Sequence, residues 1–134
     1  MIILLYILSI FTASLMGVLE ALLFTNIYAN KLWKTTFGFD VHIFFTVFRM
    51  FVFSPGSILI YLQNGLLPSA LYSVSVLLMF SFFHNGFYYL GRKKLDGAYN
   101  GFTDTSRNTT AKNSFNFKKR TVLLIISILI LSYT

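Results

Sequence analysis

The chain has no cysteine, and it is also poor in charge. The first absence excludes disulfides, thiolate metal sites and cysteine nucleophiles. Only 11% of the 134 residues are charged, whereas a soluble domain carries about 25%. Apolar residues make up 56% of the chain and include 16 Phe, which is more apolar surface than a soluble core of this size can bury. These features are typical of a membrane protein.

Three apolar runs reach the length of about 20 residues that a transmembrane helix needs. A fourth run, 121–134, is shorter, and its span is expected to begin nearer Phe117. The sequence predicts an all-α integral membrane protein, with four transmembrane helices in a compact bundle and a long cytoplasmic loop between helices 3 and 4. The whole chain, 1–134, is predicted to be a single transmembrane domain, with spans at 2–25, 41–62, 68–90 and 117–134 and the loop at 91–116. Asn64-Gly65 followed by Pro68 predicts a tight hairpin between spans two and three.

The basic residues indicate an orientation. Ten of the 11 Lys and Arg residues lie in the two loops on one side, and the remaining one is Arg49. The positive-inside rule then places both termini outside and the basic loops in the cytoplasm, in the plasma membrane. Tyr6 and Tyr72 are expected at the outer interface, and Lys118, Lys119 and Arg120 are expected to reach the inner headgroups. Because topology explains the charge, no nucleic-acid partner is predicted.

Three strong polar residues interrupt the apolar runs at a similar depth. Glu20, Arg49 and His84 each lie about 8–12 Å inside the same end of their span, at about 1.5 Å of helix rise per residue. Charge inside a span is unfavourable, so such residues indicate a functional site. Helical spacing predicts that three polar faces meet there. The candidate ligand-binding residues are Glu20, Arg49, His84, Asn85, His42 and Asp40.

Several interpretations of this cluster remain open. Glu20 and Arg49 could form a buried ion pair that only fixes helix packing, with His84 hydrogen-bonded nearby. The cluster could instead hold a lipid headgroup, and in an enzymatic version His84 or Glu20 would transfer a proton while Arg49 holds the anion. A short proton relay is a third interpretation. Paired-histidine motifs are lacking, so no metal and no cofactor are predicted, and whether the protein is an enzyme is left open.

A stripe of small residues runs along span one. Its members are spaced four residues apart: Ser9, Ala13, Gly17, Ala21 and Thr25. Such stripes let membrane helices approach closely. The stripe predicts packing against span two or four within one chain, or a homo-oligomer through Ala13, Gly17 and Ala21.

The best functional prediction is a membrane-embedded polar site in the cytoplasmic leaflet that binds or acts on a lipid or another amphiphile. The expected partners are the lipid bilayer and its anionic headgroups. The alternative is an oligomeric scaffold or a pore-forming, holin-like protein, an analogy of size and span count, in which the Glu–Arg pair is structural. The long loop carries Tyr99, Phe102 and Phe115, and disordered linkers are poor in aromatic residues. We therefore expect this loop to fold back on the membrane surface.

Overall fold

The computed structural model describes residues 1–26, 41–105 and 116–134, and of residues 41–44 the backbone only. These residues form four α-helices and no strand. The helices are α1 (Ile2–Thr25), α2 (Val41–Asn64), α3 (Leu66–Asp96) and α4 (Phe117–Leu131). Within the described residues, α1, α3 and the Phe45–Asn64 part of α2 are long and apolar enough to cross a membrane.

Two helices differ in length from the predicted spans. Helix α4 has 15 residues, which give about 22 Å of rise against a hydrocarbon core of about 30 Å. Helix α3 has 31 residues and continues past position 90. Its last turn is stabilised by Arg92, which donates to Asp96 four residues later. The helix stops at Gly97, whose φ of 68° is left-handed.

Helix α3 lies at the centre of the bundle and packs against each of the other three helices. Helix α1 runs parallel to it, since Ser9 bonds Tyr72 and Ala21 lies beside Gly91. Helices α2 and α4 run antiparallel to α3. The predicted hairpin is confirmed: α2 ends at Asn64, Gly65 takes a φ of 86°, and α3 begins at the next residue.

The small-residue stripe of α1 packs against α3, and not against the second or fourth span as predicted. A Cβ atom at Gly17 would lie 2.3 Å from the backbone oxygen of His84. Ala13 and Ala21 are fully buried. The reason is that α3 offers small groups of its own, because a Cβ at Gly91 would meet the side chain of Ala21 at 2.9 Å. A homo-oligomer through this stripe stays a prediction, and it would have to displace α3.

Hydroxyl groups join the helices in the half that contains the hairpin. Tyr72 bonds Ser9 at 2.9 Å, and Tyr6 bonds Ser127. Ser75 and Ser127 donate to each other's backbone oxygens at 2.9 and 2.7 Å. Tyr6 and Tyr72 are buried in the bundle and so form no exposed aromatic belt, while their level in the membrane stays a prediction. Their hydroxyls find partners inside the bundle, and this lets the whole side chain enter the core.

The segment 97–105 folds back along α3 through its aromatic residues, whereas the expected return of the loop to the membrane surface stays a prediction. Tyr99 stacks on Tyr89 with ring centres 4.8 Å apart. Phe102 packs edge-on against Phe82 and Phe87, and its ring fills the notch left by a glycine: a Cβ at Gly86 would lie 2.3 Å from it. Phe115 lies outside the described residues. Segment 97–105 can thus pack along α3 because residue 86 is a glycine and leaves room for the Phe102 ring.

Substituting Gly86→Ala is expected to expel Phe102 and to release segment 97–105 without unfolding the helices, because the clash is with one mobile ring and not with backbone. Limited chymotrypsin digestion should then cut at Phe102 at least about ten times faster. The double variant Gly86→Ala with Phe102→Ala is the control for helix integrity and should give the wild-type circular dichroism spectrum. Unchanged protection of Phe102 in the single variant would contradict this packing.

A candidate polar site between α1, α2 and α3

Glu20, Arg49 and His84, here called the triad, converge on a single carboxylate oxygen. Nη2 of Arg49 donates to Oε2 of Glu20 at 3.0 Å, and Nε2 of His84 lies 2.7 Å from the same oxygen. Nη2 of Arg49 and Nε2 of His84 are 3.1 Å apart. The predicted meeting of three polar faces is thus confirmed for these residues. Their role in binding a ligand stays a prediction.

Close helix packing positions the triad. Gly17 brings α1 against the backbone of α3 at His84, and Glu20 follows one turn later on the same side. Phe80 lies one turn before His84 and stacks on its imidazole, with ring centres 4.6 Å apart. The guanidinium of Arg49 lies over the same Phe80 ring, 4.8 Å from its centre. The Phe80 ring therefore packs against both His84 and Arg49, the two side chains that contact Glu20.

The contact between His84 and Glu20 assigns a proton. An ionised carboxylate only accepts hydrogen bonds, so the 2.7 Å contact places a proton on Nε2 of His84. Nδ1 faces the side-chain amide of Asn85, 3.1 Å from the atom assigned as Oδ1. The two ends of an amide have the same shape, so Asn85 can accept from Nδ1 through Oδ1 or, when turned, donate to it through Nδ2.

Arg49 is the most accessible member of the triad. Its side chain is 27% exposed, whereas those of Glu20 and His84 are 5% and 6% exposed. Both of its polar contacts with described residues, to Glu20 and His84, use Nη2. Nε of Arg49 is buried and has no hydrogen-bond partner among the described residues. A guanidinium carries five N–H donors, so Arg49 has donor capacity beyond what Glu20 uses.

The remaining candidates from the sequence are Asn85, His42 and Asp40. Asn85 belongs to the site through His84. The side chain of His42 and all of Asp40 lie outside the described residues. In the described part of the chain, no three His, Cys, Asp or Glu side chains lie close enough together to hold a metal ion.

Unlike Arg49, Arg120 is fully buried, and the sequence did not indicate this. Arg120 is 0% exposed, so the prediction that it reaches the headgroups is wrong, whereas its neighbours Lys118 and Lys119 are exposed. Its Nη2 donates to the backbone oxygens of Phe102 and Asp104 at 2.9 and 2.7 Å.

Aromatic rings enclose the same guanidinium. It lies 5.2, 5.7 and 6.0 Å from the ring centres of Tyr89, Phe117 and Phe102. Arg120 therefore ties segment 97–105 to α4. Nothing in the triplet Lys118-Lys119-Arg120 indicates from sequence that Arg120 turns into the bundle.

Comparisons with protein families, with curated proteins and with solved structures find no match to this chain. Its function must therefore be argued from its own side chains.

Proposed function

We propose that this chain is a multi-pass membrane protein whose triad forms a binding site for a lipid or another amphiphile. The observation that carries the proposal is the state of Arg49: Nη2 is engaged by Glu20, the side chain is 27% exposed, and the buried Nε lacks a partner among the described residues. An arginine inside an apolar bundle needs acceptors for its donors. An amphiphile brings a polar acceptor on an apolar chain, and therefore suits this position.

The orientation that supports this proposal is the one given by the positive-inside rule. All four helices are then spans of one compact bundle in the plasma membrane, with both termini outside. The short α4 spans by local thinning of the bilayer. The triad lies in the cytoplasmic leaflet, below the basic residues at the end of α3. A lipid of that leaflet reaches Arg49 by lateral diffusion and needs no aqueous path.

Helix α2 has an exposed apolar side. Val47, Met50 and Phe51 are 46%, 67% and 73% exposed, and they lie about 100–160° around the helix from Arg49, at 3.6 residues per turn. Such a surface contacts acyl chains favourably in a bilayer. The proposed ligand would place its polar group at Arg49, beside this lipid-facing side of α2.

The test compares two charge-neutral double variants. Glu20→Gln with Arg49→Gln removes the site, and Arg92→Gln with Asp96→Asn removes the exposed pair at the end of α3. Both keep the net charge of the protein. Each protein is extracted from nanodiscs that contain phosphatidylglycerol and phosphatidylcholine, and retained lipid is counted by native mass spectrometry. We expect wild type and the α3 control to retain lipid, and the site variant to lose at least about 90% of it, which corresponds to about 1.4 kcal/mol.

Two outcomes would overturn the proposal. Equal retention by all three proteins would mean that lipid binds elsewhere. A discrete oligomer of the wild type without retained lipid would favour the alternative, a scaffold or pore in which the Glu20–Arg49 pair is structural.

A further inference from the structure

We infer that the group bound at Arg49 is the acyl-ester carbonyl of a glycerolipid, and not its phosphate. This inference rests on the proposed lipid site and names the chemistry of its ligand. Three features of the structure carry it: the charge balance of the triad, its depth below the basic residues, and the apolar surroundings of the guanidinium.

The first feature is charge balance. The positive charge of Arg49 is cancelled by Glu20, whose Oε2 lies 3.0 Å from Nη2. Nε2 of His84 lies 2.7 Å from the same oxygen. Phosphate binding relies on uncompensated cations and on bidentate arginine forks. A neutral pair with spare N–H donors instead suits a neutral acceptor such as an ester carbonyl.

The second feature is depth. Arg92, Lys93 and Lys94 end α3 and mark the level of the lipid phosphates, to which basic residues are attracted. His84 lies eight residues earlier in α3, about 12 Å along the helix axis. The polar layer on each side of a bilayer is only about 5–8 Å thick. At this depth His84 lies about 4–7 Å beyond the inner edge of that layer, so the acyl esters at this edge are nearer to the triad than the phosphates are.

The third feature is the composition of the surroundings. The guanidinium of Arg49 lies on the Phe80 ring, which also contacts Phe53 edge-on at 5.8 Å between ring centres. Phe45 is 3% exposed and packs with Met16 and Phe53. Bringing a phosphate and its hydration into these groups would be strongly unfavourable without a further cation. An ester carbonyl carries only one acceptor and no charge.

The experiment replaces the ester and leaves the headgroup unchanged. Wild-type protein is placed in nanodiscs that contain equal amounts of diester and diether phosphatidylglycerol with matched chains, distinguished by isotope label, and the retained lipid is identified by native mass spectrometry. We expect the diester to be retained about 3- to 10-fold over the diether, the range given by one hydrogen bond.

Two variants test the origin of that preference. Arg49→Lys keeps a cation beside Glu20 but removes the Nε and Nη1 donors that the planar guanidinium holds in fixed positions, so the preference should fall to about 1. Glu20→Gln leaves Arg49 uncompensated, so it should raise the retention of phosphatidylglycerol over phosphatidylcholine and reduce the ester preference. Circular dichroism confirms that each variant keeps its helices.

The experiment distinguishes a failure of the carbonyl assignment from a failure of the proposed lipid site. If diester and diether are retained equally and both are lost in the double variant Glu20→Gln with Arg49→Gln, the lipid site stands and the carbonyl assignment is overturned. If neither lipid is retained in an Arg49-dependent way, the proposed function fails with it. If Glu20→Gln leaves the phosphatidylglycerol preference unchanged, the charge-balance argument is wrong.

Discussion

Replacing Gly17 by leucine is expected to separate α1 from α3 and to destabilise the bundle by about 3 kcal/mol or more, because a side chain there meets backbone that cannot move aside. A Cβ alone would lie 2.3 Å from the backbone oxygen of His84 and 3.0 Å from the backbone nitrogen of Tyr88. The measurement is unfolding in mixed micelles titrated with SDS. The same variant should lose retained lipid, because Glu20 moves away from His84.

Leu15→Phe is the control for this prediction. Leu15 lies on the outer side of α1 and is 47% exposed, so its enlargement should change the unfolding midpoint little. If Gly17→Leu unfolds at the wild-type SDS concentration, the close contact of α1 with α3 does not exist in the membrane.

The second large effect is expected for Arg49→Leu. The change leaves the Glu20 carboxylate, 5% exposed, without its cation. Removing one partner of a buried ion pair destabilises a protein by about 3–5 kcal/mol. The contact with His84 remains, so the loss should fall at the lower end of that range. The same SDS titration measures it.

The double variant Glu20→Leu with Arg49→Leu completes the cycle. Since no charge is then left unpaired, it should recover most of the stability lost in Arg49→Leu while binding no lipid. Arg92→Leu is the matched control, because its partner Asp96 is 31% exposed and water screens the charge that remains. A loss as large for Arg92→Leu as for Arg49→Leu would contradict the burial of the triad.

The sequence was most informative where a local signal coincides with a physical requirement. Asn64-Gly65 predicted the hairpin because such a tight turn favours a residue that tolerates a positive φ, and Gly65 takes a φ of 86°. The matching depths of Glu20, Arg49 and His84 predicted their meeting, since each charge needs a partner away from lipid. The first conclusion needs only a turn dipeptide, and the second needs only the depth of one polar residue in each of three spans.

The sequence does not show in the same way which helices pack against each other. The small-residue stripe showed that α1 packs closely, but every other helix also offers small residues, and only the structure identifies α3 as the partner. For a related reason, the sequence did not show that the side chains of Tyr6 and Arg120 turn into the bundle. Both residue types are common at membrane interfaces, and they turn inward here because Ser127 and the backbone of segment 97–105 supply acceptors from distant parts of the chain.

The most direct test of the lipid site is solid-state NMR on protein with ¹⁵N-labelled arginine, in bilayers of lipid labelled with ¹³C at the acyl carbonyls. Arg49→Lys identifies the Arg49 signal by its disappearance. The account predicts magnetisation transfer from the Arg49 guanidinium to a lipid polar group, either the labelled carbonyl or ³¹P. An Arg49 signal that shows transfer to the Glu20 carboxylate and to no lipid atom would contradict the site and leave the triad as a structural ion pair.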